Sequence, residues 1–330
     1  MSGTFLRVKL VQRIVSAPLP PRRPAQSLAE YQWLGATPFM VMHLLPFAAI
    51  WTGTKWQDWA VCAALYFVRM FGVTGGYHRY FAHRTYKTSR FFQFCLAFLA
   101  QSSAQKGALW WAAHHRAHHK YSDQDGDPHD ARRGFWYSHC GWLFDRTEAT
   151  DYSKVRDLAK YPELVLLNVM PHLAPAVLGM AVWFWLGWSG FLIGFVLSTV
   201  LLWHGTFTIN SLTHMIGRRR YPTTDNSRNH FGLALLTLGE GWHNNHHYYM
   251  SSTRQGFFWW ELDITYLILK ALSWVGLVWD LKEPPARVYD PKSMLPARPA
   301  PEPATTEAPA PARIAAAPPP GATLAPPAGN

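Results

Sequence analysis

The sequence predicts an all-α integral membrane protein with four transmembrane helices in two hairpins. Three observations carry that expectation. Apolar stretches lie at roughly 37–53, 58–75, 165–187 and 189–209, each near the ~20 residues needed to cross a bilayer. They are joined in pairs by short turns, Gly53 to Asp58 and Gly187 to Gly190. The remaining segments are polar and hold three clusters of histidine.

Taken in order, residues 1–15 carry a basic amphipathic pattern without a continuous apolar core or a cleavage site close behind it, and residues 1–34 read as an N-terminal cytosolic segment rather than a cleaved signal. The first hairpin follows. Residues 91–104 are apolar but short, which suits an interfacial or re-entrant segment. The second hairpin ends near 209. Residues 258–281 are apolar but include Glu261, Asp263 and Lys270; charges there are costly in lipid, so a surface-lying amphipathic helix is expected over a fifth span. The membrane domain is expected to cover 35–282. From 283 to 330, Pro-Ala repeats that cannot build a core predict a disordered tail.

The hairpin turns offer only Lys55, whereas residues 1–34, 77–164 and everything after 210 hold nearly all the Lys and Arg. The positive-inside rule makes those regions cytoplasmic, and all three histidine clusters fall on that face. High counts of Trp (17) and Tyr (14) suit membrane interfaces. The formal charge of +11 suits anionic lipid or an acidic substrate; no nucleic-acid-binding motif accompanies it. Cys62, Cys95 and Cys140 form no C-x-x-C pair, which argues against a disulfide scaffold or a thiolate zinc site.

The clusters are H-x-x-x-x-H (His78, His83), H-x-x-H-H (His115, His118, His119) and H-x-x-H-H again (His243, His246, His247). On a helix, positions i, i+3 and i+4 share a face, so each H-x-x-H-H is expected to aim three imidazoles at one point. Positions i and i+5 lie about 140° apart on an ideal helix. The first pair converges only if the helix distorts, which Gly75-Gly76 permits. With His214, one turn beyond Asn210, the set reaches nine imidazoles. One tetrahedral zinc takes four ligands; two metals with four or five each fit better. Imidazole suits iron, copper, nickel or zinc, so the count leaves the metal open. His43, His172, His204 and His230 read as ordinary hydrogen-bonded or surface residues, and His114, His129 and His139 as undecided.

At this point the chain resembles the membrane fatty acid desaturases, in particular the stearoyl-CoA (Δ9) desaturase-like branch and its bacterial members. The matching text is H-R-Y-F-A-H-R-T-Y-K-T from His78, W-A-A-H-H-R-A-H-H-K-Y-S from Trp111, D-P-H-D-A-R-R-G-F-W-Y-S-H-C-G-W from Asp127, N-S-L-T-H from Asn210 and G-E-G-W-H-N-N-H-H from Gly239. The resemblance spans about 35 to 282. It implies four transmembrane helices capped by a helical cytosolic domain holding a di-iron site. The implied ligands are His78, His83, His115, His118, His119, His214, His243, His246 and His247, with Asn210 acting through water. Gln105 and Thr206 match positions lining the bend of the acyl tunnel. His114 and Ala113 depart from the residues that touch coenzyme A in the animal enzymes.

The implied activity is O2-dependent insertion of a cis double bond, Δ9 by the resemblance, into a saturated acyl chain. Acyl-CoA is the favoured carrier, with acyl-lipid as the alternative. Two iron ions cycling between Fe2+ and Fe3+ would supply an oxidant for unactivated C–H bonds. Electrons would come from a separate ferredoxin or cytochrome b5-like partner with an NAD(P)H reductase, at the inner membrane of a bacterium. Asp127, Asp130, Glu240 and His129 are candidates to orient ligands. Arg116, Lys120, Arg132 and Arg133 are candidates for the head group; each also reads as an ordinary cytoplasmic-face charge. Rival readings are a membrane di-iron hydroxylase and a metal-binding membrane protein. The spans hold few ligand-type side chains, which disfavours the latter.

Overall fold

The computed structural model describes residues 33–145 and 149–295; the N-terminal expectation falls almost wholly outside them. It is mostly helical, with two long apolar runs, Trp56–Ala82 (27 residues) and Leu173–Met215 (43 residues).

The first apolar segment is a broken helix. Helix α1 (Trp33–Leu44) passes into a tighter turn at Leu45–Ala48 and a last turn at Ala49–Thr52. Pro46, without an N–H, accounts for the break. Gly53, at φ 68°, then reverses the chain. Helix α2 (Trp56–Phe71) starts where the Lys55 N–H donates to Asp58 Oδ2 at 2.8 Å. It continues through Gly72–Ala82 as a π-helix. There, i→i+5 bonding replaces i→i+4, and the His83 N–H reaches the His78 carbonyl at 3.1 Å.

Helix α3 (Arg90–Gln101), capped by Ser89 Oγ on the Phe92 N–H at 3.2 Å, packs tightly on this segment. A Cβ on Gly72 would meet the Ala100 backbone at 3.0 Å, so glycine sets the closeness of the two helices. Helix α4 (Ala108–Tyr121) lies against the same π-helical segment. The third apolar segment begins later than expected: Pro162–Val169 is a separate short helix, and the break before α5 (Leu173–Ser189) holds Pro171. At Gly187 (φ 69°, ψ −159°) the chain turns back, so that Val182 packs on Phe195 and Val196. A second π-helical stretch, Gly190–Leu197, leads into α6 (Ser198–Asn210). Arg69, fully buried in α2, is satisfied by Ser198 Oγ at 2.5 Å and Thr199 Oγ1 at 2.7 Å.

Beyond α6 the chain forms short helices, including α7 (His243–Tyr248) and α8 (Ile264–Trp274). At 11 residues, α8 is about 16 Å long, too short to span a bilayer. Asp263 caps it through the Tyr266 N–H at 3.0 Å. One departure from an all-helical chain is a two-residue antiparallel ladder, β1 (Lys87–Thr88) with β2 (Val278–Trp279). Residues 283–295 are anchored at Val288, which is fully buried and whose carbonyl accepts from Tyr221 Oη at 2.7 Å. Ordered chain therefore runs past the expected start of the tail, because Val288 finds an aromatic slot beside Tyr221 and Phe257. The rest of that tail, 296–330, lies outside the described residues.

Candidate metal centre and acyl cavity

The nine imidazoles meet in two adjoining groups. His78, His83, His115, His119 and His246 place ring nitrogens within 4.8 Å of one another, and His118, His214, His243 and His247 do the same. The groups touch where the His119 and His247 rings lie 4.5 Å apart. The first box converges because the π-helix stacks residues five apart; the His78 and His83 ring centres are 4.8 Å apart.

Each H-x-x-H-H, expected to serve one point, is split between two. On α4, His115 and His119 join the first group and His118 the second; on α7, His243 and His247 join the second and His246 the first. At about 100° per residue, i+4 returns to within about 40° of i, whereas i+3 falls on the other side. The i,i+4 pair therefore stays together and the i+3 ring diverges to the neighbouring centre.

Four rings are oriented by carboxylates at Nδ1. His78 lies 2.5 Å from Glu240 Oε2, His118 2.9 Å from Asp127 Oδ1, His214 3.0 Å from Asp123 Oδ2 and His247 2.6 Å from Asp225 Oδ2. A ring that donates from Nδ1 keeps its lone pair on Nε2. Two of those Nε2 atoms face the Nε2 of a further ring: His78 to His246 at 3.0 Å, and His214 to His243 at 3.1 Å. Nε2 of His118 and of His247 is buried with no hydrogen-bond partner. Burial and neighbouring imidazoles push His83, His115, His119, His243 and His246 well below the usual histidine range, and His247 to about 4. Neutral rings with converging lone pairs repel unless a cation lies between them. The donor set fits two nitrogen-ligated metal ions.

Burial opposes charge on Asp127, Asp225 and Glu240, but their histidine partners outweigh it. All three are held below the usual carboxylate range, Glu240 at about 2. Arg79, 1% exposed, braces Glu240 at 3.0 Å and Asp263 at 2.9 Å. Nothing in the sequence singles out Asp123 and Asp225, because no fixed spacing links them to their histidines, which lie 91 and 22 residues away. His129 belongs here, its ring 4.3 Å from His118 and its N–H donating to Asp127 at 3.1 Å. Asp130 instead caps the turn at Ala131–Arg133 and pairs with Arg132 at 2.8 Å.

A cavity of about 1010 Å³ ends on this centre. His78, His115, Asn210 and Glu240 line it, with Val73, Trp111 and Phe207 among its apolar wall. Gln105 and Thr206 both line it and are hydrogen-bonded to each other at 3.1 Å. The four head-group candidates do not line it. Arg116 binds Asp157 at 2.8 Å and the carbonyls of Phe81 and Ala82, tying the first box to α4. Arg133 lies over the Tyr137 ring at 3.4 Å, and Lys120 is exposed beside Tyr121. Three other histidines form a hydrogen-bonded file behind the cavity wall. His43 meets His204 at 2.9 Å, His204 meets His139 at 2.9 Å, and His139 meets Ser211 at 3.0 Å.

Comparison with known proteins agrees with this geometry. The fatty acid desaturase family model matches residues 54–275. The sn-1 stearoyl-lipid 9-desaturase of Anabaena variabilis is 34% identical over 257 residues, covering 77% of this chain and 94% of that protein. An acyl-CoA C20 Delta5-desaturase of Anemone leveillei is 36% identical over 238 residues, 70% of this chain and 75% of that protein. A further sn-1 stearoyl-lipid 9-desaturase, from Synechocystis, is 36% identical over 218 residues, 65% of this chain and 68% of that protein. With its family match, its identity to these relatives and its paired histidine groups, the chain belongs to the fatty acid desaturase family.

Proposed function

We propose that the chain places a cis double bond at carbon 9 of a saturated acyl chain, using O2 and two irons. His78, His83, His115, His119 and His246 would hold one iron, and His118, His214, His243 and His247 the other. Asn210, on the cavity wall, would reach a metal through water. The observation that carries this reading is the apolar cavity ending on His78 and His115. Iron with O2, when bound, supplies an oxidant able to take hydrogen from an unactivated carbon. The residues of the chain do the rest. Val73, Trp111 and Phe207 would exclude water, the Gln105–Thr206 pair would set the bend of the chain, and the cavity would hold the reacting carbons at a set depth.

The reading includes four spans with the metal centre on the cytoplasmic face. Trp51, Trp56, Trp185 and Trp188, all exposed, sit by the turns at Gly53 and Gly187, where an aromatic belt belongs. For the carrier we favour a lipid-linked chain over acyl-CoA. Arg116 and Arg132 are engaged by Asp157 and Asp130. His172, Ala176 and Met180, four residues apart, line the cavity while remaining exposed, which suits entry from the bilayer. Purified enzyme given stearoyl-CoA or stearoyl-phospholipid separates the two carriers by which one is converted.

The metal assignment is tested with His118→Ala and His246→Ala. Each should lower iron content and abolish monounsaturated product by gas chromatography. Full activity in both would falsify the assignment.

A further inference from the structure

Desaturation as proposed above consumes a reductant the acyl chain does not supply: –CH2–CH2– + O2 + 2 e− + 2 H+ gives –CH=CH– + 2 H2O. Two electrons must enter from outside, and the segment 217–229 marks where. It lies over the four-histidine group. Asp225 accepts from His247 Nδ1 at 2.6 Å, and the Asn226 N–H donates to Asp123 Oδ2, the partner of His214, at 2.6 Å. Asn226 is exposed. Two hydrogen bonds therefore connect a solvent-facing residue to an imidazole of the centre. The five-histidine group, by contrast, opens on the acyl cavity through His78 and His115.

The segment also separates its charges. Asp225, its acidic residue, is buried and turned inward. Besides Arg220, its cations are Arg218, Arg219 and Arg228. Arg218 is exposed and Arg219 and Arg228 are partly exposed. They are neighbours: Arg218 exchanges backbone bonds with Asn229 at 2.9 and 2.8 Å, Arg228 reaches the Gly217 carbonyl at 3.4 Å, and Arg219 the Thr223 carbonyl at 2.8 Å. Among the described residues none of the three has an acidic partner, whereas the adjacent Arg220 pairs with Glu261.

We propose that this face of 217–229 is the docking surface for an acidic one-electron carrier protein, which delivers the two electrons singly to the four-histidine side of the centre. The inference rests on the desaturase reading. Uncompensated cations of one sign steer an acidic partner and set its encounter rate more than its final affinity. An anionic bilayer would also attract them. The hydrogen bonds from this segment to His247 and to Asp123, the partner of His214, favour a redox partner, because lipid binding requires no link to the centre.

The test uses iron-loaded enzyme in lipid nanodiscs with an acidic [2Fe–2S] ferredoxin as the probe. Arg218→Glu/Arg228→Glu is compared with wild type, and Arg218→Glu alone serves if the double variant does not fold. The ferredoxin Kd should rise about tenfold or more at low salt and lose most of its salt dependence. KM for ferredoxin should rise, while turnover driven by dithionite stays unchanged. Three results would overturn the proposal: an unchanged Kd and salt slope, an equal loss of both turnovers, or lost binding to phosphatidylglycerol vesicles with the ferredoxin Kd intact. If dithionite-driven wild type forms no double bond, the desaturase reading fails, and the Kd comparison still decides whether this face docks the carrier.

Discussion

At single residues, the division of labour is between rings and the carboxylates behind them. Eight of the nine imidazoles stand out in the sequence through clustered spacing, because a helix translates spacing into direction, whereas His214 stands alone in N-S-L-T-H. Their partners are legible only in part. Asp127 lies nine residues from His118, near enough to suggest itself, whereas Asp123 reaches His214 from 91 residues away, and nothing local marks it. Away from the centre, Asp157 pairs with Arg84 at 2.7 Å and Arg116 at 2.8 Å. Burial opposes its charge, but the Arg116 hydrogen bonds and both guanidinium charges outweigh it and hold its carboxyl below the usual range. A depressed carboxyl stabilises the fold above its unfolded pKa of about 4 and loses that contribution as pH falls through its folded value. The pair is half-exposed, so the effect is about 1 kcal/mol or less. Thermal unfolding of Asp157→Asn should show a deficit near pH 7 that closes toward pH 3; a deficit constant across that range would exclude the ion pair as its source.

At the scale of elements, the departures from expectation come from backbone geometry. The i,i+3,i+4 rule identified a shared face but not that two centres lie on either side of it. The π-helix at Gly72–Ala82 solves the i,i+5 problem, as the nearby glycines allowed, though only the fold shows which distortion is used. The glycines flanking Glu240 are a third case. Gly239 holds φ 124°, and a Cβ on Gly241 would collide with the backbone of Leu233 and Ala234. That close approach seats the start of α7 against Phe231–Leu236. Gly241→Ala should cost about 1–3 kcal/mol in overpacking and displace His243. The expected result is a lower melting temperature together with iron loss; wild-type iron content would show that the approach is dispensable.

For the molecule as a whole, apolar length gave a good account of where the chain turns. Both turns, Gly53 and Gly187, coincide with glycines of positive φ. It was less informative about continuity, since the first segment is broken near Pro46 and the third by Pro171. The four-span arrangement proposed above makes a sidedness prediction. In a variant freed of its three native cysteines, Cys placed at Gly53 should react with an impermeant maleimide from the outer side of the membrane, and Cys at Ser251 only after the inner face is opened. Labelling of both from one side would overturn that topology.

Sequence alone determined the helical class, the three histidine clusters and the separation of apolar from polar segments, because these follow from spacing along one chain. Tertiary structure decided which imidazoles share a centre, which carboxylates orient them, and which arginines are engaged. Those depend on distances between residues far apart in the chain, and no local pattern encodes them.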